Sequence, residues 1–262
     1  MKFLYSNLPL SKSLSALVGL SFLALPLPSF AATLVADYQF DNSLASSIEG
    51  APSLFDLGTD NFFGTETVDG QSTTVFNFAE QTGLQLSTEG LIPNDDYSVS
   101  MLFNFDTVEF WRKILDVNNR VTDAGLYTFS SDMFYYGKKD VVDSGTGTPL
   151  GLDQWVQVVF TRDSDDQVVT YVDGVEQLNF FDDNNYSKIV PDDVLHFFRD
   201  DFTTGDSENS SGAIARLRVY DGALSASQVA ALDRLPETLT APPSEPEATL
   251  LRLIFLETPT IR

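Results

Sequence analysis

Apolar and polar residues alternate along several segments of the chain, the pattern of a strand with one buried face. The longest such segment covers residues 97–105, nine positions in length. Its apolar positions are Tyr97, Val99, Met101, Phe103 and Phe105. Because successive side chains of a strand point to opposite faces, these five side chains are predicted to face a core. Shorter alternating segments lie at residues 34–40 and 156–160.

The last predicted strand is followed by a turn and a short helix. The strand covers residues 213–219, and its odd positions are Ala213, Ala215, Leu217 and Val219. Strict alternation predicts that these four side chains share one face. Asp221-Gly222 then favours a turn, and Ser225 with Gln228 three residues later forms a capping box. The sequence therefore predicts a helix over residues 225–232.

Turn residues separate the predicted strands at fairly even spacing along the chain. Asp173-Gly174 lies between two β-branched and aromatic runs, which predicts a two-residue hairpin turn with positive φ at both positions. Many short strands with regular turns are typical of sandwiches and jelly rolls. The predicted fold class is all-β: a two-sheet antiparallel jelly-roll sandwich with one short C-terminal helix.

The ends of the chain differ in composition from its middle. Residues 1–31 contain Lys2, Lys12, an apolar run at 14–25 and small residues before Ala31, which predicts a signal peptide cleaved after Ala31. An uncleaved membrane anchor is the alternative. Residues 32–234 are predicted to form the jelly-roll domain. Residues 235–262 are a Pro-rich linker and a short apolar tail, which is either a degenerate sorting signal or disordered.

Charge and cysteine content narrow the classes of function. The 262 residues include 15 Lys and Arg against 38 Asp and Glu, and the formal net charge is −23. Such a chain repels nucleic acids and anionic membrane surfaces, so neither is an expected partner. The chain has no cysteine, so a disulfide-stapled module is excluded. We expect a protein that is secreted or lies at the cell surface or in the periplasm, with no stable membrane span in the mature chain.

Several segments together resemble laminin-G-like jelly-roll domains of the concanavalin A-like lectin/glucanase superfamily, in an exported bacterial form. The similarity lies in the order and spacing of residues 36–41, 74–78, 97–105, 155–160, 171–174 and 213–224. Residues 155–160 and 171–174 resemble the family's W-x-x-V and Y-V-D-G segments. The resemblance implies a secreted two-sheet sandwich that binds glycans, proteins or both, often with a calcium ion at its rim. It does not imply catalysis.

Acidic clusters supply a hypothesis of calcium binding. Ca²⁺ takes six to eight oxygen ligands, which carboxylates provide. Asp200 and Asp201 follow the apolar segment 194–198 directly, and Asp41 follows the first predicted strand. We therefore predict Asp41, Asp200 and Asp201 as ligands of a calcium ion, the one candidate cofactor. The alternative is an acidic face that serves only solubility.

Aromatic residues outside the predicted core supply a hypothesis of sugar binding. Sugar rings pack against exposed aromatic faces while polar groups bind their hydroxyls. The predicted ligand-binding residues are Trp111, Tyr135, Tyr136 and Tyr186. Because Tyr135 and Tyr136 are adjacent, at most one of them can face the core. Trp155 and Tyr171 are predicted to pack inside.

No catalytic motif stands out, and no catalytic residue is predicted. The E-x-D-x-x-E segment of related glucanases is absent. Asp106 with Glu109 is the carboxylate pair that best suits a hydrolase. His196 is the only histidine and lies in an apolar segment, where a packed histidine is expected.

These observations favour an exported, non-catalytic domain that recognises a glycan or another cell-surface ligand, with calcium as a possible aid. One alternative is a structural or adhesive surface domain that binds an extracellular protein. Another is a glycoside hydrolase or lyase with an unrecognised carboxylate pair.

Overall fold

The computed structural model describes residues 32–93, 95–137, 141–145, 150–189 and 194–236. The predicted signal peptide and most of the predicted tail lie outside these residues. The described chain forms strands and one short helix, α1 (Ala226–Ala230). The strands are β1 (Thr33–Tyr38), β2 (Phe55–Asp56), β3 (Phe62–Val68), β4 (Gln71–Phe78), β5 (Leu84–Ser87), β6 (Tyr97–Phe105), β7 (Trp111–Asp116), β8 (Gly125–Phe129), β9 (Asp132–Tyr136), β10 (Val141–Ser144), β11 (Val156–Arg162), β12 (Gln167–Val172), β13 (Val175–Phe181), β14 (Val194–Phe197) and β15 (Gly212–Asp221).

The strands form two antiparallel sheets. The eight-stranded sheet has the order β13-β12-β11-β6-β15-β4-β3, and β1 also pairs with β15. The seven-stranded sheet has the order β10-β9-β8-β7-β14-β5-β2. The prediction of an all-β, two-sheet antiparallel sandwich with a short C-terminal helix is confirmed. Asp173 and Gly174 both have positive φ between β12 and β13, as the predicted hairpin turn requires.

The main core lies between the two sheets. On β6 the five apolar residues of the alternating pattern, Tyr97 to Phe105, all belong to this core. Val156, Val158 and Phe160 of β11 join it, also in alternation. The residues between them point away from the core, so the outward face of the eight-stranded sheet carries Ser98, Ser100, Leu102 and Asn104.

Strand β15 departs from the predicted alternation. Its register shifts between Ile214 and Arg216, which marks a β-bulge. An extra residue in one strand reverses the facing of the residues beyond it. Ala213 and Ala215 therefore lie in a small outward-facing cluster, whereas Leu217 and Val219 lie in the main core. The prediction that these four residues share one face is wrong, because the bulge interrupts the strand between them.

The C-terminal strap, residues 226–236, covers part of the outward face of the eight-stranded sheet. The predicted capping box is present: Ser225 and Gln228 cap the start of α1. Val229 packs with Val159, Tyr171 and Tyr220 of the sheet. Tyr171 was predicted to pack inside, and it is buried here under the strap rather than between the sheets.

Two buried arginines fasten the strap to the sheet through ion pairs. Beyond the bulge, Arg216 points outward and donates from Nε and Nη2 to the two carboxylate oxygens of Asp37, each at 3.0 Å. Arg216 and Arg218 also bind Asp233 of the strap at 2.7 and 2.9 Å. These pairs satisfy charges that would otherwise be costly to bury.

A buried lysine cluster holds the long loop after β14 against the outward face of the seven-stranded sheet. The cluster consists of Lys113, Asp116, Asp200 and Asp201, all with fully buried side chains. The Lys113 Nζ atom lies 3.1 Å from Asp116, 2.8 Å from Asp201 and 3.8 Å from Asp200. Burial alone would lower the pKa of Lys113, but the negative charges of Asp116, Asp201 and Asp200 outweigh it and raise the pKa.

The predicted calcium ligands do not form a common site. Asp201 accepts hydrogen bonds from Lys113, Tyr127 and two backbone N–H groups. Asp200 accepts from the Thr204 hydroxyl and two backbone N–H groups. Asp41 is exposed after β1. Within the described ranges no three Asp, Glu or His side chains are placed to hold a metal ion. Asp200 and Asp201 thus have the Lys113 ammonium as their cation, and Asp41 is not among the residues that pair with it.

We expect Lys113→Met to destabilise the fold by about 3–5 kcal/mol, because it leaves buried carboxylates without a cation. The measurement is urea denaturation followed by tryptophan fluorescence. Arg112→Met is the matched control, because Arg112 is the adjacent residue in β7 and forms no ion pair within the described residues. A loss below about 1 kcal/mol for Lys113→Met would show that the cluster does not stabilise the fold.

Glu208 gives the cluster a predicted pH dependence. Burial and the charges of Asp200 and Asp123 raise the pKa of Glu208 from 4.5 to about 7. The folded chain thus keeps a proton that the unfolded chain releases, so this group's contribution to stability falls as pH rises from about 5 to about 7. Glu208→Gln should stabilise the protein by about 1 kcal/mol at about pH 8, allowing for partial exposure, and by little at about pH 5.

Thermal melts at the two pH values measure this difference, with Glu89→Gln as a control for loss of one exposed charge. An equal gain at both pH values would contradict the pKa assignment of Glu208.

We also expect calcium to leave the melting temperature unchanged, because Lys113 and backbone N–H groups already bind Asp200 and Asp201. The measurement is a thermal melt with calcium and with chelator. A native-state site at 100 times its dissociation constant would add about 2.7 kcal/mol, a rise of roughly 5–10 °C. A rise of that size would show a calcium site that these contacts do not explain.

Candidate functional site

An open cleft of about 540 Å³ lies on the outward face of the eight-stranded sheet, where the strap does not cover it. Its floor is a row of residues on neighbouring strands. Asn77 of β4 pairs with Phe62 of β3 and with Ala213 of β15, and Ala213 pairs with Asn104 of β6. Trp155 directly precedes β11 and is next in the row, because Val156 pairs with Phe103. The order across the sheet is aromatic, amide, alanine, amide, aromatic.

The row is long enough for an extended ligand. Neighbouring strands lie about 4.8 Å apart, so its five positions span about 19 Å. Phe62 forms one end and is 60% exposed. Trp155 forms the other end and is half-buried against the cluster of Val68, Val75, Leu102, Ala213 and Ala215. The two rings thus stand at opposite ends of a shallow polar floor.

Small residues make room for the amide side chains of the floor. A Cβ atom on Gly64 would lie 2.8 Å from Asn77 Nδ2, so the amide occupies space that any other residue would fill. The backbone N–H of Ala213 donates to Asn104 Oδ1 at 3.0 Å and fixes that amide. The Asn77 side chain has no hydrogen-bond partner among the described residues, so its amide is available to a ligand.

Arg234 of the strap holds the Trp155 end of the cleft. Its guanidinium donates to the Trp155 carbonyl at 2.6 Å and to Asp69 at 2.7 Å, and it also binds Asp173. Asp69 lies in the β3–β4 turn and Asp173 in the β12–β13 turn. One side chain thus links two hairpins to the backbone of the aromatic residue.

Four carboxylates line the cleft, from Asp60, Glu66, Asp106 and Asp153, and no Lys or Arg of the described residues does. Asp106 accepts a hydrogen bond of 2.6 Å from the Ser211 hydroxyl. Partial burial raises the pKa of Glu66, a hydrogen bond with Asn104 opposes this, and the charge of Asp106 raises the pKa further. The cleft combines aromatic rings, amides and acids, which together can pack against sugar rings and bind their hydroxyls.

Two of the predicted ligand-binding residues meet, but on the other sheet. Trp111 and Tyr136 lie on the outward face of the seven-stranded sheet, with ring centroids 5.8 Å apart. Trp111 also contacts Phe129, Phe134 and Tyr127. These five residues form an aromatic cluster. It is separate from the cleft, which none of them lines.

The other two predicted ligand-binding residues are placed differently. Tyr135 points the opposite way from Tyr136, is 1% exposed and packs against Phe160 and Phe180. Tyr135 and Tyr136 therefore alternate as expected for a strand. Because Tyr135 faces the core, it cannot contact a ligand at the surface. Tyr186 is half-buried against the main core and makes no ring contact with Trp111 within the described chain.

Asp106 and Glu109 are not brought together in one cleft. Asp106 lines the cleft, whereas Glu109 is exposed outside it. His196 is buried in β14, where burial lowers its pKa to about 4. The acid beside Asp106 in the cleft is instead Glu66, more than thirty residues away in sequence.

Sequence reasoning missed most residues of the cleft. Phe62, Asn77 and Asn104 were not predicted, and Trp155 was assigned to the interior. A signal for Trp155 was present, because it is adjacent to Val156, whose side chain faces the core. No comparable signal exists for the row itself, which depends on the order of the strands in the sheet.

Known structures support the fold. One similar structure is domain 4 of AbnA, a GH43 extracellular arabinanase from Geobacillus stearothermophilus, which was solved in complex with arabinotriose. It aligns with a TM-score of 0.61 at 19% identity, covering 77% of this chain and 98% of that one. A second structure is that of botulinum neurotoxin type C, whose cell entry is described as dependent on interaction with two ganglioside molecules. It aligns with a TM-score of 0.55 at 10% identity, covering 76% of this chain and 50% of that one. The binding domain of Paraclostridial Mosquitocidal Protein 1 aligns with a TM-score of 0.53 at 10% identity, covering 76% of this chain and 51% of that one.

The chain therefore spans about half the length of those two toxin chains. At these identities the likeness shows the fold alone. No curated protein matches the chain. The model of one family, described as the concanavalin A-like lectin/glucanases superfamily, matches residues 78–230, more than half of the sequence. The chain belongs to this laminin G-type family of the concanavalin A-like superfamily.

Proposed function

We propose that this protein is an exported, non-catalytic carbohydrate-binding domain and that the cleft is its sugar site. The observation that carries the proposal is the row Phe62, Asn77, Ala213, Asn104 and Trp155. Aromatic rings at both ends suit the apolar faces of sugar rings, and the amides between them suit hydroxyl groups. Ala213 leaves the middle of the floor low enough for a chain of sugars.

The arabinanase domain that aligns with this chain was solved with arabinotriose. This supports a sugar as the ligand class, while the sugar itself is to be found by experiment. Export is proposed on the predicted signal peptide and agrees with the extracellular enzyme that carries the aligned domain. No helix in the described part of the chain is long and apolar enough to cross a membrane.

The aromatic cluster favours a second candidate function, adhesion to an extracellular protein. Trp111, Phe129, Phe134 and Tyr136 are only half-buried and adjoin one another. Aromatic residues are enriched at protein interfaces, and contiguous exposed patches of them mark interaction sites. This surface and the cleft lie on different sheets, so mutation can separate the two functions.

We expect Trp155→Ala to lower affinity for the bound glycan by about tenfold or more, because it removes one aromatic end of the row. Phe62→Ala should also weaken binding, and because Phe62 is exposed, its loss should leave the fold intact. The measurement is a glycan array that includes arabinotriose and ganglioside glycans, followed by calorimetry with the strongest binder.

Trp111→Ala is the matched control, because it removes a tryptophan from the aromatic cluster and leaves the cleft intact. Loss of sugar binding in Trp111→Ala with retention in Trp155→Ala would move the site to the seven-stranded sheet. Absence of glycan binding by the intact protein would overturn the proposal. Release of reducing ends from the bound glycan, lost in Asp106→Asn, would favour the hydrolase alternative.

A further inference from the structure

The cleft leaves its carboxylates without a counter-charge, unlike the pairing found elsewhere in the molecule. Among the described residues, every Lys and Arg except Arg112 forms an ion pair with a carboxylate. None of these pairs involves an acid of the cleft. The four acidic side chains of the cleft therefore face an open, aromatic-walled space, and no cationic side chain of the described ranges lies among them.

The positions of two of these acids relate them to the sugar row. Glu66 lies on β3 two residues after Gly64 and four after Phe62, so the side chains of Glu66 and Phe62 point to the same outward face of the sheet. The Asn104 side chain opposes the rise in the pKa of the Glu66 carboxylate, and both residues line the cleft. Asp106 follows β6 two residues after Asn104 and is held by the Ser211 hydroxyl. Two carboxylates of the cleft thus stand beside the Asn104 position of the floor.

We infer that the cleft takes oligosaccharides whose sugars carry a protonated amine, and that it rejects glycans bearing carboxylate or sulfate groups. This inference rests on the proposed function, because it assigns a chemical class of sugar to the same cleft. The aromatic ends and the amides suit any sugar chain, whereas the unpaired carboxylates distinguish among sugar chains by charge.

The chemistry of selection is electrostatic. An ammonium group donates charge-assisted hydrogen bonds to carboxylates, which are shorter and stronger than neutral ones. It also relieves the repulsion between Glu66 and Asp106. A uronate, sialyl or sulfate group would instead bring a further negative charge into a cleft that offers it no cation.

The test compares three tetrasaccharides by calorimetry on the intact protein at about pH 6 and low salt: tetra-glucosamine, its fully N-acetylated form and tetra-galacturonate. We expect tetra-glucosamine to bind at least about tenfold more tightly than the N-acetylated form, and tetra-galacturonate not to bind. Added salt should weaken the binding of tetra-glucosamine most, because screening acts on charge pairs.

The double variant Glu66→Gln with Asp106→Asn keeps the shape of the cleft and removes two of its charges. It should reduce the preference for the amine to below about threefold. The matched control is Glu89→Gln with Asp165→Asn, which removes two exposed acids outside the cleft and should keep the preference. Thermal melts check that both double variants fold.

The outcomes separate this inference from the proposed function. Equal binding of the amine and N-acetyl forms, or binding of galacturonate, overturns the charge selectivity while the cleft remains a sugar site. An amine preference that survives in the cleft variant also overturns it. Binding of no tetrasaccharide here and no glycan on the array overturns the proposed function itself.

Discussion

The β-bulge in β15 decides which part of the outward face of the eight-stranded sheet the strap covers and which part forms the cleft. Strand β15 pairs with β1, β4 and β6, so it is a central strand, and its facing decides what lies on the outward surface. Before the bulge that surface carries Ala213, and beyond it Arg216 and Arg218. Large charged side chains require partners, and these come from Asp37 and the strap. A methyl group requires none, so the sheet stays open above Ala213.

The strap links these two parts of the surface. Its Asp233 side chain pairs with Arg216 and Arg218, and the strap continues to Arg234 beside Trp155. Arg234 donates a hydrogen bond to the carbonyl of Trp155, so the strap that covers part of this face also fixes the residue at one end of the row. The strap therefore both covers part of this face and positions Trp155 at the end of the cleft.

The sequence predicts what depends on local pattern and misses what depends on register. Alternation identified the core face of β6, and the Asp-Gly pair and capping box identified a hairpin and a helix start, because each is decided within a few residues. Strand β3 was not predicted, since Gly64 and Glu66 interrupt its apolar pattern. The bulge in β15 and the row of the cleft arise only when distant strands pair. Asn77 and Asn104 lie in one row because both pair with Ala213, and the sequence around either asparagine does not indicate this pairing.

Two groups of carboxylates in this molecule have opposite surroundings, and the difference has a physical cause. Asp200 and Asp201 were predicted to share a metal ion, and they do converge on a cation, but that cation is Lys113. Removal from water makes an unpaired charge costly, so the buried acids are matched by a residue of the fold itself. The cleft acids remain in contact with solvent, and water stabilises them without a cationic partner. A ligand that displaces this water must replace its interactions, so the charge pattern of the cleft favours a sugar that brings the missing positive charge.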